Sequence, residues 1–169
     1  VLFVIAKETD CTVPAGEGGT VSQKYTLSEA ESAFLKECAR LFERYTEKLS
    51  DYAIDVVVDV YVTKDKITEP SEPGIAYSGM YTYPLWGSDI EEIASMYSHY
   101  DSTIVNAYMN DKMHDSSGVT FWNPATNRGD IFIPYDSTIY PIELNNESLE
   151  TYLEEYKKDM VNGAEIDTF

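Results

Sequence analysis

The chain has 169 residues, enough for one domain with a full core and too few for two comfortable ones. Its 30 acidic against 12 basic residues give a formal charge of −18, which repels phosphate backbones and anionic lipid and so argues against nucleic-acid binding and membrane-surface attachment. Hydrophobic residues at 43% and fourteen tyrosines mark a folded chain and not a disordered one.

Such acidity attracts cations such as Ca²⁺, but general charge is no specific site. No apolar run approaches the ~20 residues of a membrane span. Val1–Ala6 is apolar but short, without a basic flank or cleavage pattern, and reads as a strand and not a signal peptide. The sequence does not begin with Met, and the expectation is a processed or excised piece of a longer protein. Cys11 and Cys38 permit one disulfide or two separate thiols; no Cys-x-x-Cys exists for a redox centre or zinc knuckle.

In chain order, Val1–Ala6 is a wholly apolar interior strand. Glu8–Tyr25 carries Pro14, Gly16, Gly18 and Gly19 without a usable period and reads as a long loop. Ser28 with Glu31 makes a capping box, and Phe34, Leu35, Cys38, Leu41, Phe42, Tyr45 and Leu49 form one stripe, so Ser28–Ser50 is a long amphipathic helix. Ala53–Thr63 follows as a strand. Ile54, Val56, Val58, Val60 and Val62 line one side, and Asp55, Val57, Asp59, Tyr61 and Thr63 the other. This valine-rich strand is expected to be the spine of the sheet, parallel to the first strand across the helical crossover.

Periodicity vanishes over Lys64–Gly87, a proline- and glycine-punctuated loop bearing Tyr77, Tyr81, Tyr83 and Trp86. Ser88 or Asp89 caps a short helix through Tyr97, with Ile90, Ile93, Ala94 and Tyr97 inward. Ser102–Tyr108 is a strand and Asn110–Gly118 a polar turn. Val119–Trp122 and Asp130–Pro134 form a hairpin, and Glu147–Met160 a closing helix. The expected fold is α/β: a single domain with a mixed sheet of about five strands, a parallel core and a C-terminal hairpin, packed by three helices.

Chemistry is weakly signalled. His99 and His114 lack the close second histidine of a local zinc pair. His114-Asp-Ser supplies triad residue types, but consecutively, and no Gly-x-Ser-x-Gly elbow is present. Asp55 and Asp59 on one strand would stand roughly 13.6 Å apart at ~3.4 Å per residue, beyond the ~5–9.5 Å of a glycosidase pair. Gly16-Glu-Gly-Gly lacks the Lys-Ser/Thr of a P-loop, and Lys7-Glu-Thr-Asp-Cys stands where a dinucleotide fingerprint would follow the first strand. Catalytic residues, metal ligands and cofactors are therefore none. Tyr77, Tyr81, Tyr83 and Trp86 are the candidate binding residues, because such rings offer large contact area at low entropic cost to a protein or carbohydrate partner; the alternative is a lid on the core. Arg128-Gly129-Asp130 spells an adhesion tripeptide within a hairpin turn, and Asn146-Glu147-Ser148 a glycosylation sequon.

Apolar strand, long helix, Asp55-Val-Val-Val-Asp-Val-Tyr-Val-Thr63, proline-rich loop, short helix, Tyr100-Asp-Ser-Thr-Ile-Val105 and Gly118-Val-Thr-Phe121 follow one another in this order. Over Val1–Ile133 the chain resembles the amino-terminal half of secreted bacterial zincin-type metallopeptidase domains. Those enzymes carry His-Glu-x-x-His, two imidazoles one helical turn apart around a glutamate base. This chain has none, and its last helix offers Glu147, Glu150, Glu154 and Glu155 without a histidine, so no zinc residue carries over. The resemblance implies an extracellular non-catalytic relative acting as a binding module, or a piece whose catalytic half follows residue 169. The alternatives are a hydrolase using His114, Asp115, Asp55 and Asp59, and a structural spacer.

Overall fold

The computed structural model describes residues 1–14, 20–68, 74–77, 80–82, 88–108, 119–123 and 128–135. Its first strand, β1 (Leu2–Ile5), is buried at every position. Leu-Phe-Val-Ile has no polar face, so only an interior place with cover on both sides removes it from water. Parallel strands flank it: β4 (Asp59–Val62) pairs Leu2 with Asp59 and Ile5 with Val62, and β7 (Thr103–Tyr108) pairs Leu2 with Thr103 and Ile5 with Asn106. Beyond β7 lies β9 (Arg128–Tyr135), again parallel, and β8 (Val119–Asn123) closes that side antiparallel to β9. The five-stranded sheet thus runs β4-β1-β7-β9-β8.

Two helices cover it. The helix α1 (Glu29–Leu49) starts at the expected capping box, with the Ser28 Oγ accepting the Glu31 amide and the Glu31 carboxylate accepting the Ser28 amide. It packs on Phe3, Ile5, Ile104 and Tyr135 through Leu35 and Ala39. The helix α2 (Ser88–Met96) puts Ile90 and Ile93 on the other face, against Leu2, Val4, Val105 and Phe132. Alternation along each strand divides the side chains between these two layers.

The mixed α/β class is as expected, but several elements differ. Glu8–Tyr25 is not a loop. It forms β2 (Glu8–Pro14) and β3 (Thr20–Thr26), an antiparallel ribbon from Glu8↔Thr26 to Pro14↔Thr20. Its strands alternate polar and β-branched residues, Thr9, Thr12, Val13, Thr20, Val21 and Thr26, which pair well while showing no apolar period. Within the expected loop Lys64–Gly87, Ile67 bridges Thr9, and β5 (Gly74–Tyr77) pairs antiparallel with β6 (Met80–Thr82). The central sheet has the five strands expected, but four further strands form two small antiparallel pairs, and two helices are described where three were expected. The expected third helix, Glu147–Met160, lies outside the described residues, as do the sequon and the turn at 110–118.

The largest correction concerns Ala53–Thr63. Only Asp59–Val62 pairs, and it is the edge of the sheet, not its spine. An interior parallel strand needs apolar side chains on both faces. β1 has them, whereas Asp55 and Asp59 interrupt the valines and stay solvated only at a margin. On α1 the deepest positions are Ser32, Leu35, Ala39 and Leu41, with Phe34 and Phe42 half-buried. Small residues let the helix backbone approach the sheet, and the large rings pack along its flanks.

Leu35 is 2% exposed and Val60 41%. Leu35→Ala should cost about 2–5 kcal/mol in urea unfolding, and Val60→Thr less than about 0.5 kcal/mol. A comparable loss at both sites would contradict the edge position of β4.

Candidate functional site

The chain leaves β1 for β4 on one side and enters β7 on the other, so the order reverses beside β1. In parallel α/β sheets the crevice beyond the carboxyl ends of strands at such a reversal is the usual ligand site. Here the β2–β3 ribbon lies over it. The Lys7 carbonyl accepts the Leu27 amide at 2.9 Å, and the Lys7 amide donates to Thr63 Oγ1 at 3.0 Å. Ile67 exchanges backbone bonds with Glu8 and Asp10 at 2.8 and 2.9 Å. Thr9, Cys11, Gln23 and Tyr25 share the inner face of the ribbon by register. Of these, Gln23 donates to the Tyr108 carbonyl, Tyr25 stacks on the Tyr108 ring at 3.8 Å, and Cys11 joins Ala6, Ile67 and Ala107 in the core. On the outer face Asp10 is held by Lys66 at 3.0 Å and Lys24 at 3.4 Å.

Under this roof the start of α1 meets the sheet. Glu31 accepts from the hydroxyls of Tyr25 and Tyr135 and from the amide and hydroxyl of Ser28. Burial by itself would push the Glu31 carboxyl up. The hydrogen bonds from Tyr25, Ser28 and Tyr135 together outweigh it and hold the group below its ordinary value. Burial, and then the charge of Glu31, push the Tyr135 hydroxyl the other way, far up. A helix start with free amides attracts anions. Here the capping box engages those of Ser28 and Glu31 and sets a carboxylate beside them, so the place is unsuited to phosphate. Two polar atoms at this end, Thr9 Oγ1 and Asn106 Oδ1, are buried with no hydrogen-bond partner among the described residues; Asn106 stands in register between Ile5 and Ile133.

The other sequence candidates distribute as follows. Tyr77 and Tyr81 have backbones in β5 and β6, while Tyr83 and Trp86 lie outside the described residues, as do His114 and Asp115. Arg128-Gly129-Asp130 is no exposed turn; it begins β9. Arg128 Nε meets Asp130 Oδ1 at 2.7 Å, with the side chains only 11% and 15% exposed, and the same oxygen accepts the Thr103 amide at 2.9 Å. A tripeptide bonded to its own sheet cannot be read by an adhesion receptor. Asp55 is exposed and outside any strand, and Asp59 accepts from the Tyr100 hydroxyl. Cys11 and Cys38 are free thiols, both pushed up by burial, Cys38 to about 11. Among the described residues no three His, Cys, Asp or Glu side chains converge as a metal site. No described helix is long and apolar enough to cross a membrane.

What the structure adds is the margin at β4. Tyr52 is 71% exposed, Ile54 53%, Val57 64% and Val60 41%, in one run of chain leading into the edge strand. Asp51 and Tyr52 hold positive φ, 50° and 60°, where the chain leaves α1. A ring at that φ costs of order 1–3 kcal/mol, yet it stands in solvent. On the α2 side of the same edge Tyr61 packs tilted on Tyr97 at 5.5 Å, Tyr97 on Tyr100 at 6.3 Å, and the exposed His99 lies 4.3 Å from the Tyr100 ring. Sequence reasoning sought binding aromatics in the loop and passed over Tyr97-Ser-His-Tyr100, whose density of rings just past a helix was the available signal. Comparison with protein-family models, with curated proteins and with solved structures finds no match to this chain.

Glu31 has a depressed pKa in the folded state, so its contribution is present above the ordinary glutamate value of about 4.3 and is lost as pH falls through the lower folded value. Urea midpoints of the wild type should exceed those of Glu31→Gln at neutral pH, and the gap should close on acidification. An unchanging gap would show that the carboxylate is not held charged by its neighbours. With Ellman's reagent at pH 8, Cys11 and Cys38 should react slowly in the native protein and quickly once unfolded. Finding no titratable thiol after unfolding would mean a disulfide.

Proposed function

We propose that the chain is a non-catalytic extracellular domain of metallopeptidase-like descent that serves as a binding module for a protein or carbohydrate partner. The four aromatic candidates, Tyr77, Tyr81, Tyr83 and Trp86, belong to the loop through which such a module would meet its partner. The observation that carries the reading is the apolar margin Tyr52, Ile54, Val57 and Val60, exposed beside a strand edge that no described strand covers. Edges of this kind are usually covered or charged, and apolar groups clustered on one are a mark of partner surfaces.

Two further features support it. The carboxyl-end crevice, where a small-molecule site is expected in such a sheet, is roofed by the protein's own ribbon. The order of elements named for the resemblance is met by β1, α1, β4, α2, β7 and β8, while His-Glu-x-x-His is absent from the sequence. Purified protein incubated with peptide and glycan substrates, with and without added zinc, should show no turnover above buffer. Sustained turnover that copurifies with the chain would overturn the reading in favour of a hydrolase.

A further inference from the structure

The edge strand itself suggests what sits on it. Asp59 donates its amide to Val1 and Thr63 to Ile5, at 3.0 and 2.9 Å, so residues 59, 61 and 63 face β1. Parallel ladders alternate, which turns the amides and carbonyls of Val60 and Val62 away from the sheet. No described strand pairs with them. One register step earlier the amide of Val58 also has no strand partner, and Glu43 of α1 reaches across to accept it with Oε2 at 3.0 Å. The carboxylate thus takes the acceptor position that a neighbouring strand would supply.

Charge selects the occupant. Between Leu49 and Thr63 the chain carries Asp51, Asp55 and Asp59 and no basic residue, and all three are exposed. They interleave with the exposed Tyr52, Ile54, Val57 and Val60. A second copy of this chain brings a further −18 and is repelled. A glycan has no backbone amides or carbonyls in strand register to meet Val60 and Val62. We propose that the free edge of β4 takes an extended basic and apolar segment of a partner protein as an added strand, with Glu43 holding the Val58 amide until the segment displaces it. This rests on the binding-module reading and names the partner's chemistry. Affinity comes from main-chain bonds to Val60 and Val62, and selectivity from lysine or arginine on the aspartates and apolar side chains on the exposed valines.

The test uses a short fluorescent peptide alternating lysine and valine, its glutamate–valine counterpart, and a lysine–valine version N-methylated at alternate residues. Fluorescence anisotropy on the full chain should show saturable binding of the first and none of the other two. Added salt should weaken it, since the aspartates are exposed. Val60→Pro removes one outward amide and leaves the β1 ladder intact, and should weaken binding about ten-fold with an unchanged circular dichroism spectrum. Asp51→Asn with Asp55→Asn should also weaken it. If Val60→Pro unfolds the protein, the N-methylated peptide decides alone, because it alters only the ligand. Equal binding of the methylated or the acidic peptide, or no binding by any, overturns the strand-addition proposal. Those outcomes leave the absence of turnover standing, so the two readings fail separately.

Discussion

The structure depends on one constraint: Leu2, Phe3, Val4 and Ile5 must be kept from water on both sides of a single strand. Backbone pairing to β4 and β7 satisfies the amides and carbonyls, and the side chains then point alternately into two apolar layers. Phe3 and Ile5 call for α1, and Leu2 and Val4 for α2. A sheet covered on both faces follows from this four-residue stretch, and each neighbour is placed by how much apolar surface it can contribute. β4 has no fully buried side chain, with Val62 half-buried toward α1 and Tyr61 toward α2, and it stands at the margin.

The same economy explains how polar groups are arranged. At the carboxyl end, tyrosine hydroxyls and a capping serine converge on Glu31, and the ribbon is bonded to the ends of β1 and β7 and to the segment after β4. At the β4 edge the opposite holds, with main-chain groups and apolar side chains facing outward among aspartates. The crevice is roofed by the ribbon, and no described strand covers the outer edge of β4.

The acidic excess has a structural side as well. Asp10, Glu31, Glu37 and Asp130 are each engaged by a lysine, an arginine or hydroxyl groups, and Glu43 holds a backbone amide. Asp51, Asp55 and Asp59 are exposed near the edge, and Asp59 accepts from the Tyr100 hydroxyl. Repulsion among like charges is tolerated there because water screens it.

Much of the architecture was legible before any coordinates. The buried first strand, the Ser28–Glu31 cap, both helices, the β7 strand and the β8–β9 hairpin follow from local rules: an apolar run, a hydroxyl with a carboxylate three residues on, a 3.6-residue period, turn residues between short strands. The ribbon was not legible, because its two strands are held by pairing with each other and by Gln23 and Tyr25 meeting Tyr108, and neither strand shows an apolar rhythm alone. Nor was the exposed edge. Five alternating valines and isoleucines describe a good strand, but whether such a strand is central or marginal depends on which competitor is more apolar on both faces, and β1 wins that comparison. The sequence by itself determined the elements with local periodicity and the lack of a zinc motif. The tertiary structure alone decided which strand is the spine, which crevice is closed and which edge faces water, since these depend on side chains far apart in sequence competing for one buried interior.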